Sequence, residues 1–128
     1  MTKPKSTVNR RVVLASRPSG TPTADNFRLE QAKIPALGNG QVLLRTLYLS
    51  LDPYMRGRMN ATAGYAESVE LDAVMVGGTV ARVEQSRNKH FKEGDVVSAF
   101  SGWQEYAVSD GSDITKLDPR ITKPSYAL

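Results

Sequence analysis

Turn-forming residues cut this chain about every 8 to 15 residues, and nothing between the cuts carries the 3.6-residue apolar period of a long helix. What lies between them is short and rich in sheet-favouring residues: RRVVLAS (10–16), FRLEQAKI (27–34), QVLLRTLYLSL (41–51), AVMVGGTVARVEQS (73–86), DVVSAFS (95–101) and WQEYAVSD (103–110). The separators RPSGTPTADN (17–26), PALGNGQ (35–41) and KEGD (92–95) are made of the residues that turn a chain. Short strands without helical crossovers must satisfy their edges by closing on one another. The predicted fold is therefore mainly β, a barrel or partly open barrel with one or two short helices. A chain of 128 residues suits one domain and can bury a real core.

QVLLRTLYLSL is the longest apolar segment, too continuous for a strand with one wet face, and is expected at the centre of a sheet. It stops at Asp52-Pro53. Asp can cap a helix and Pro suits its first position, so YMRGRM (54–59) is predicted as a short helix interrupted by Gly57. Residues 1–9 are polar, contain Pro4 and are expected to form a disordered tail ahead of a domain over 10–128. The last stretch, LDPRITKPSYAL, has two prolines and no apolar period, and reads as a domain boundary.

Composition narrows the chemistry. The chain has no cysteine, which excludes disulfides, thiolate catalysis and cysteine-ligated metal. Its single histidine, His90, lies between lysines before a turn and reads as a surface residue, so neither a nucleophilic triad nor a metal site is expected. Part of the net charge of +4 sits in Lys3, Lys5, Arg10 and Arg11; with no recognition motif, this reads as a solvated tail and not as a nucleic-acid surface. No apolar run approaches the ~20 residues of a membrane span, and no secretory leader is visible, so the expected compartment is the cytoplasm.

The residues that can carry chemistry lie around Asp52-Pro53. Tyr54 would stand at the mouth of a sheet and offer a neutral O–H donor to a carbonyl oxygen becoming an enolate; a tyrosine packed under the 60–72 loop is the other reading. Met55 and Met59 suit an adaptable apolar wall or core packing. Arg56 and Arg58 suit a carboxylate or phosphate, or a solvated and ion-paired helix face. Gly77-Gly78 leaves a strand bare of side chain, which fits either a β-bulge or a ligand's approach to the backbone; it lacks the glycine spacing of a dinucleotide loop. Trp103 and Tyr106 read as core aromatics, with Glu105 turned outward.

YLSLDPYMRGRM (48–59), with VMVGGTVARV (74–83), KEGDVV (92–97) and SGWQEYAV (101–108), resembles the zinc-independent medium-chain dehydrogenase/reductases. Within them it is most similar to the NADPH-dependent double-bond reductases, a group including prostaglandin and leukotriene reductases, plant alkenal reductases and bacterial curcumin reductases. The resemblance runs over residues 9–128. It implies a GroES-like, substrate-side domain whose Rossmann partner domain, absent from these 128 residues, holds most of the NADPH. Zinc-dependent cousins carry a cysteine and a Gly-His-Glu where this chain has Ser50-Leu51-Asp52 and Val76-Gly77-Gly78, so no metal is implied. The implied reaction reduces the C=C bond of an α,β-unsaturated carbonyl, with Tyr54 as catalytic donor. Tyr65, Met55 and Arg56 would meet the small-molecule enone beside Tyr54, and Gly77 and Gly78 would face the nicotinamide. The parent is expected to be a homodimer, and this chain alone to be inactive. A quinone reductase part and a non-enzymatic β-barrel interaction module are the alternatives.

Overall fold

In a computed structural model of the protein, the structure describes residues 8–61, 68–118, 120, 123 and 128. The sheet-favouring runs pair as strands: β1 (Val8–Leu14), β2 (Phe27–Lys33), β3 (Val42–Leu49), β4 (Thr79–Ser86), β5 (Val96–Ala99), β6 (Tyr106–Ser109) and β7 (Thr115–Lys116). A 3-10 turn (Ala24–Asn26) precedes β2, and one short helix, α1 (Tyr54–Arg58), follows β3. The strands form an antiparallel hairpin, β1-β2, and a five-stranded antiparallel sheet in the order β6-β3-β4-β5-β7. The sheets do not close fully, which is the partly open GroES-like β fold expected from the sequence.

Backbone bonds dock the hairpin onto the segments that lead into β4 and β6. The Val12 and Leu14 N–H groups donate to the Trp103 and Ala73 carbonyls at 2.8 and 3.0 Å, and the Met75 and Glu105 N–H groups donate back to Val12 and Arg10 at 3.1 and 3.0 Å. Asn9 completes the junction from a buried position: its side-chain oxygen accepts from the Tyr106 N–H at 2.9 Å and its amide donates to Gln104 at 2.9 Å. Val8 and Asn9 thus belong to β1, and the expected tail cannot extend to residue 9; residues 1–7 lie outside the described ones.

Apolar packing divides in two. Val42, Leu44, Ala81, Val83 and Val97 of the five-stranded sheet form the first cluster with Ile114. Leu14, Met55, Met59, Val69 and Met75 form the second, under α1, with Phe27 and Trp103 against it. β3 is central, flanked by β4 and β6, but only its first half is buried: Val42, Leu43 and Leu44 are enclosed, while Leu47 and Tyr48 are exposed. The run read as one strand over 73–86 starts pairing in a ladder only at Thr79; before it Val74 makes a single bridge to Val13. The register shifts of the β3-β4 pair fall at Leu43/Leu44 and Thr46/Tyr48, so Gly77-Gly78 precedes the ladder and is not its bulge.

Candidate active site

Tyr54 is placed by the end of β3. The Ser50 N–H donates to the Gly78 carbonyl at 2.9 Å, which keeps the chain in register one step beyond the strand. Pro53 then enters helical backbone (φ −58°), and the Met55 and Arg56 N–H groups donate to the Asp52 and Pro53 carbonyls at 3.1 and 3.2 Å. Asp52 does not cap the helix with its side chain as expected, because its carboxylate accepts the Ser50 hydroxyl at 2.9 Å. Gly57 does not interrupt α1 either, since the helix runs through it to Arg58.

Met55 and Met59 are buried and fasten one face of α1 to the second core cluster. Tyr54, beside Met55 at the start of α1, stays 42% exposed, and its hydroxyl has no hydrogen-bond partner among the described residues. Partial burial, and after it the negative charge of Asp52, push its pKa above the usual tyrosine value; Arg58 pulls the other way. The phenol therefore stays protonated at neutral pH and can donate a hydrogen bond.

Arg56 is engaged on every arm: Nε donates to the Gly20 carbonyl at 2.9 Å, Nη2 to Pro18 at 3.1 Å and Nη1 to Asn60 Oδ1 at 2.7 Å. Sequence reasoning missed Arg17, whose Nη1 donates to the carbonyls of Met59, Asn60 and Val69 at 2.9, 3.1 and 3.1 Å. Only its place in a loop of helix-breaking residues could have signalled a cation free to reach a helix end. Tyr65 lies outside the described residues.

The two glycines differ. A Cβ on Gly77 would stand 2.8 Å from Leu49 Cδ1, 3.2 Å from Met55 Cε and 3.3 Å from Trp103 Cδ1, so internal packing under α1 accounts for its missing side chain. A Cβ on Gly78 would meet nothing within 4 Å, so there the backbone is open to a planar group. Trp103 stacks on Phe27 with ring centroids 5.5 Å apart, in line with the core role read for it, but its indole N–H is buried without a partner among the described residues. Trp103 borders a groove of about 340 Å³ with Val12, Leu29, Thr46 and Leu49; Arg10 and Glu105 pair at its edge, 2.9 Å apart, and Tyr54 is not in its lining. Among the described residues no three His, Cys, Asp or Glu side chains gather where they could hold a metal ion, and no helix is long and apolar enough to cross a membrane.

Strand order, hairpin docking and the helix at the mouth of β3 together define a GroES-like domain. The chain belongs to the family described as the N-terminal domain of oxidoreductase, whose match covers residues 10–117. It is 53% identical over 120 residues to the NADPH-dependent curcumin reductase of Escherichia coli, covering 94% of this chain and 35% of that protein. It is 43% identical over 98 residues to mouse prostaglandin reductase 1, covering 77% of this chain and 28% of that protein. Among solved structures, CurA from Vibrio vulnificus in complex with NADPH superposes with a TM-score of 0.87 at 55% identity, over 93% of this chain and 35% of that one. The chain thus spans about a third of the length of these relatives.

Proposed function

We propose that this chain, from β1 onward, is the substrate-side domain of an NADPH-dependent reductase of the C=C bond of α,β-unsaturated carbonyls. The observation that carries the reading is Tyr54: a protonated phenol without a partner among the described residues, fixed at the mouth of a sheet by a helix whose other face is buried. The identities to curcumin and prostaglandin reductases support it.

NADPH, when bound, supplies the two electrons of the reduction as a hydride. The chain's own part is polarisation. The Tyr54 O–H donates to the carbonyl oxygen and holds the negative charge that grows there as the enolate forms, an effect worth about 3 kcal/mol for one preorganised donor. A proton taken from solvent at the α-carbon completes the reduction. The open backbone at Gly78 fits the approach of a flat nicotinamide, whereas Gly77 is occupied by packing within the chain. Met55, in the core cluster, and Arg56, with its arms on the 18–20 loop, hold the helix that carries Tyr54. Most contacts to NADPH fall to a Rossmann domain elsewhere in the parent. The reading takes the parent to be a cytoplasmic homodimer; sedimentation of the purified parent tests the dimer, and cell fractionation the compartment.

The test follows NADPH absorbance with a simple enone, using the full-length parent. Oxidation is expected, with Tyr54→Phe slowing kcat about 100-fold. An inert parent, or one indifferent to loss of the hydroxyl, overturns the reading.

A further inference from the structure

We propose that Arg17 is a positioning residue for Tyr54, an assignment that rests on the reductase reading above. A helix of five residues cannot hold itself in water, because nucleation costs more than so few hydrogen bonds return. Its N-terminus has no side-chain cap, since Pro53 occupies that position and the Asp52 carboxylate faces Ser50. What α1 lacks at its start is supplied at its end. Arg17 Nη1 lies 2.9 Å from the Met59 carbonyl and 3.1 Å from that of Asn60, the orphan acceptors just beyond the last turn. A cation there also opposes the negative end of the helix dipole.

The same nitrogen reaches the Val69 carbonyl at 3.1 Å, so two hydrogens are shared among three acceptors. The Val69 N–H donates to the Arg58 carbonyl at 2.7 Å, and Arg17 thus locks both ends of the chain between the helix and Val69. Arg17 is itself anchored. The Ala15 and Ser16 N–H groups both donate to the Asn26 carbonyl, and the Asn26 amide donates to the Ser16 hydroxyl at 3.1 Å. One guanidinium therefore ties the loop after β1, the end of α1 and the start of the next segment into one frame, with Tyr54 at its other end. Removing it leaves the end of α1 to Arg56 and to Met55 and Met59, whose flexible side chains do not fix an orientation.

The test is a double-mutant cycle in the full-length parent, comparing wild type, Arg17→Ala, Tyr54→Phe and the double variant in the NADPH–enone assay. Arg17→Ala is expected to lower kcat by about 10-fold or more with the KM for NADPH within about twofold, because small displacements of a catalytic group are costly. In the Tyr54→Phe background the same change is expected to cost less than about twofold, since no hydroxyl is left to misplace. Lysine at position 17 keeps the charge and three donors on one nitrogen, and is expected to restore part of kcat only when Tyr54 is present. If Arg17→Ala does not fold, Arg17→Lys carries the cycle, with a smaller loss and the same non-additivity. Equal losses in both backgrounds, or none in either, overturn the assignment. A parent that does not turn over an enone, or does not slow with Tyr54→Phe, overturns the reductase reading and this assignment with it.

Discussion

Gly102→Ala should unfold this domain far more readily than Gly20→Ala, although both glycines have nearly the same backbone. Their φ angles are +80° and +77°, in the region where a Cβ costs about 1–2 kcal/mol. The lower entropy of the unfolded alanine chain returns about 0.4–1 kcal/mol of that. Around Gly20 an added Cβ meets nothing within 4 Å, so its substitution measures this backbone term alone, a net loss of about 1 kcal/mol. At Gly102 the Cβ would stand 2.6 Å from the carbonyl oxygen of Met75, closer than any real contact. That oxygen accepts the Trp103 N–H at 2.9 Å and belongs to a fully buried residue, so it cannot retreat without breaking a buried hydrogen bond. The bond is worth about 1–3 kcal/mol when its partner is left unsatisfied, and the overpacking adds a comparable amount. Gly102→Ala should therefore lose at least about 2 kcal/mol more than Gly20→Ala. For a domain of 128 residues each kcal/mol moves Tm by about 4 °C, so the two variants should melt about 8 °C apart or more in a thermal scan by circular dichroism. Melting within 2 °C of each other would refute the contact as the cause, and with it the view that the 102–103 segment is rigidly seated on Met75.

Other perturbations separate fold from site. Gly77→Ala pushes on Leu49, Met55 and Trp103 and should cost about 1–3 kcal/mol in a denaturant titration. Gly78→Ala should leave Tm unchanged but raise the parent's KM for NADPH severalfold; an unchanged KM would remove Gly78 from the cofactor's path. The negative charge of Asp52 opposes ionisation of Tyr54, so Asp52→Asn should shift the alkaline limb of the parent's pH–kcat profile to lower pH. Hydrogen bonds from Arg10 hold Glu105 below the usual glutamate range, against a smaller opposing effect of burial. Its folded pKa is depressed, so this pair stabilises the fold above about pH 4.3 and the contribution fades as pH falls through the folded value. Glu105→Gln should flatten the fall of Tm over that acid window.

The ladder strands were legible because their residues announce them. Val12, Val42, Val80, Val83 and Val97 favour extended backbone and sit between glycine- and proline-rich turns, so local preference and packing agree. The reading failed where a residue's partner is distant in sequence. Asp52 looks like a cap, but Ser50 takes its carboxylate; residues 73–78 look like strand, yet Ala73 and Met75 bond to the hairpin instead of a ladder neighbour. The placement of the candidate residues was legible in part. Tyr54 follows from Asp52-Pro53, whereas the engagement of Arg56 and the reach of Arg17 across 42 residues to Met59 leave no local pattern.

The two core clusters differ in chemistry, and the difference bears on how Tyr54 is held. The first is built of valine, leucine, isoleucine and alanine, all but Ile114 on paired strands, where branched side chains have few rotamers and packing alone fixes geometry. The second, under α1, takes three of its five buried members from methionine, whose torsions adapt to a change of shape. For Tyr54 to meet a carbonyl oxygen as proposed, methionines alone cannot aim it. Its aim comes from polar contacts converging on α1: Ser50 on the Gly78 carbonyl, Arg56 on the 18–20 loop and Arg17 on the carbonyls after the helix. Substitutions in the first cluster should therefore move stability and leave the position of Tyr54 alone. Substitutions among the polar contacts should do the reverse, because the methionines can repack around a displaced helix at little cost.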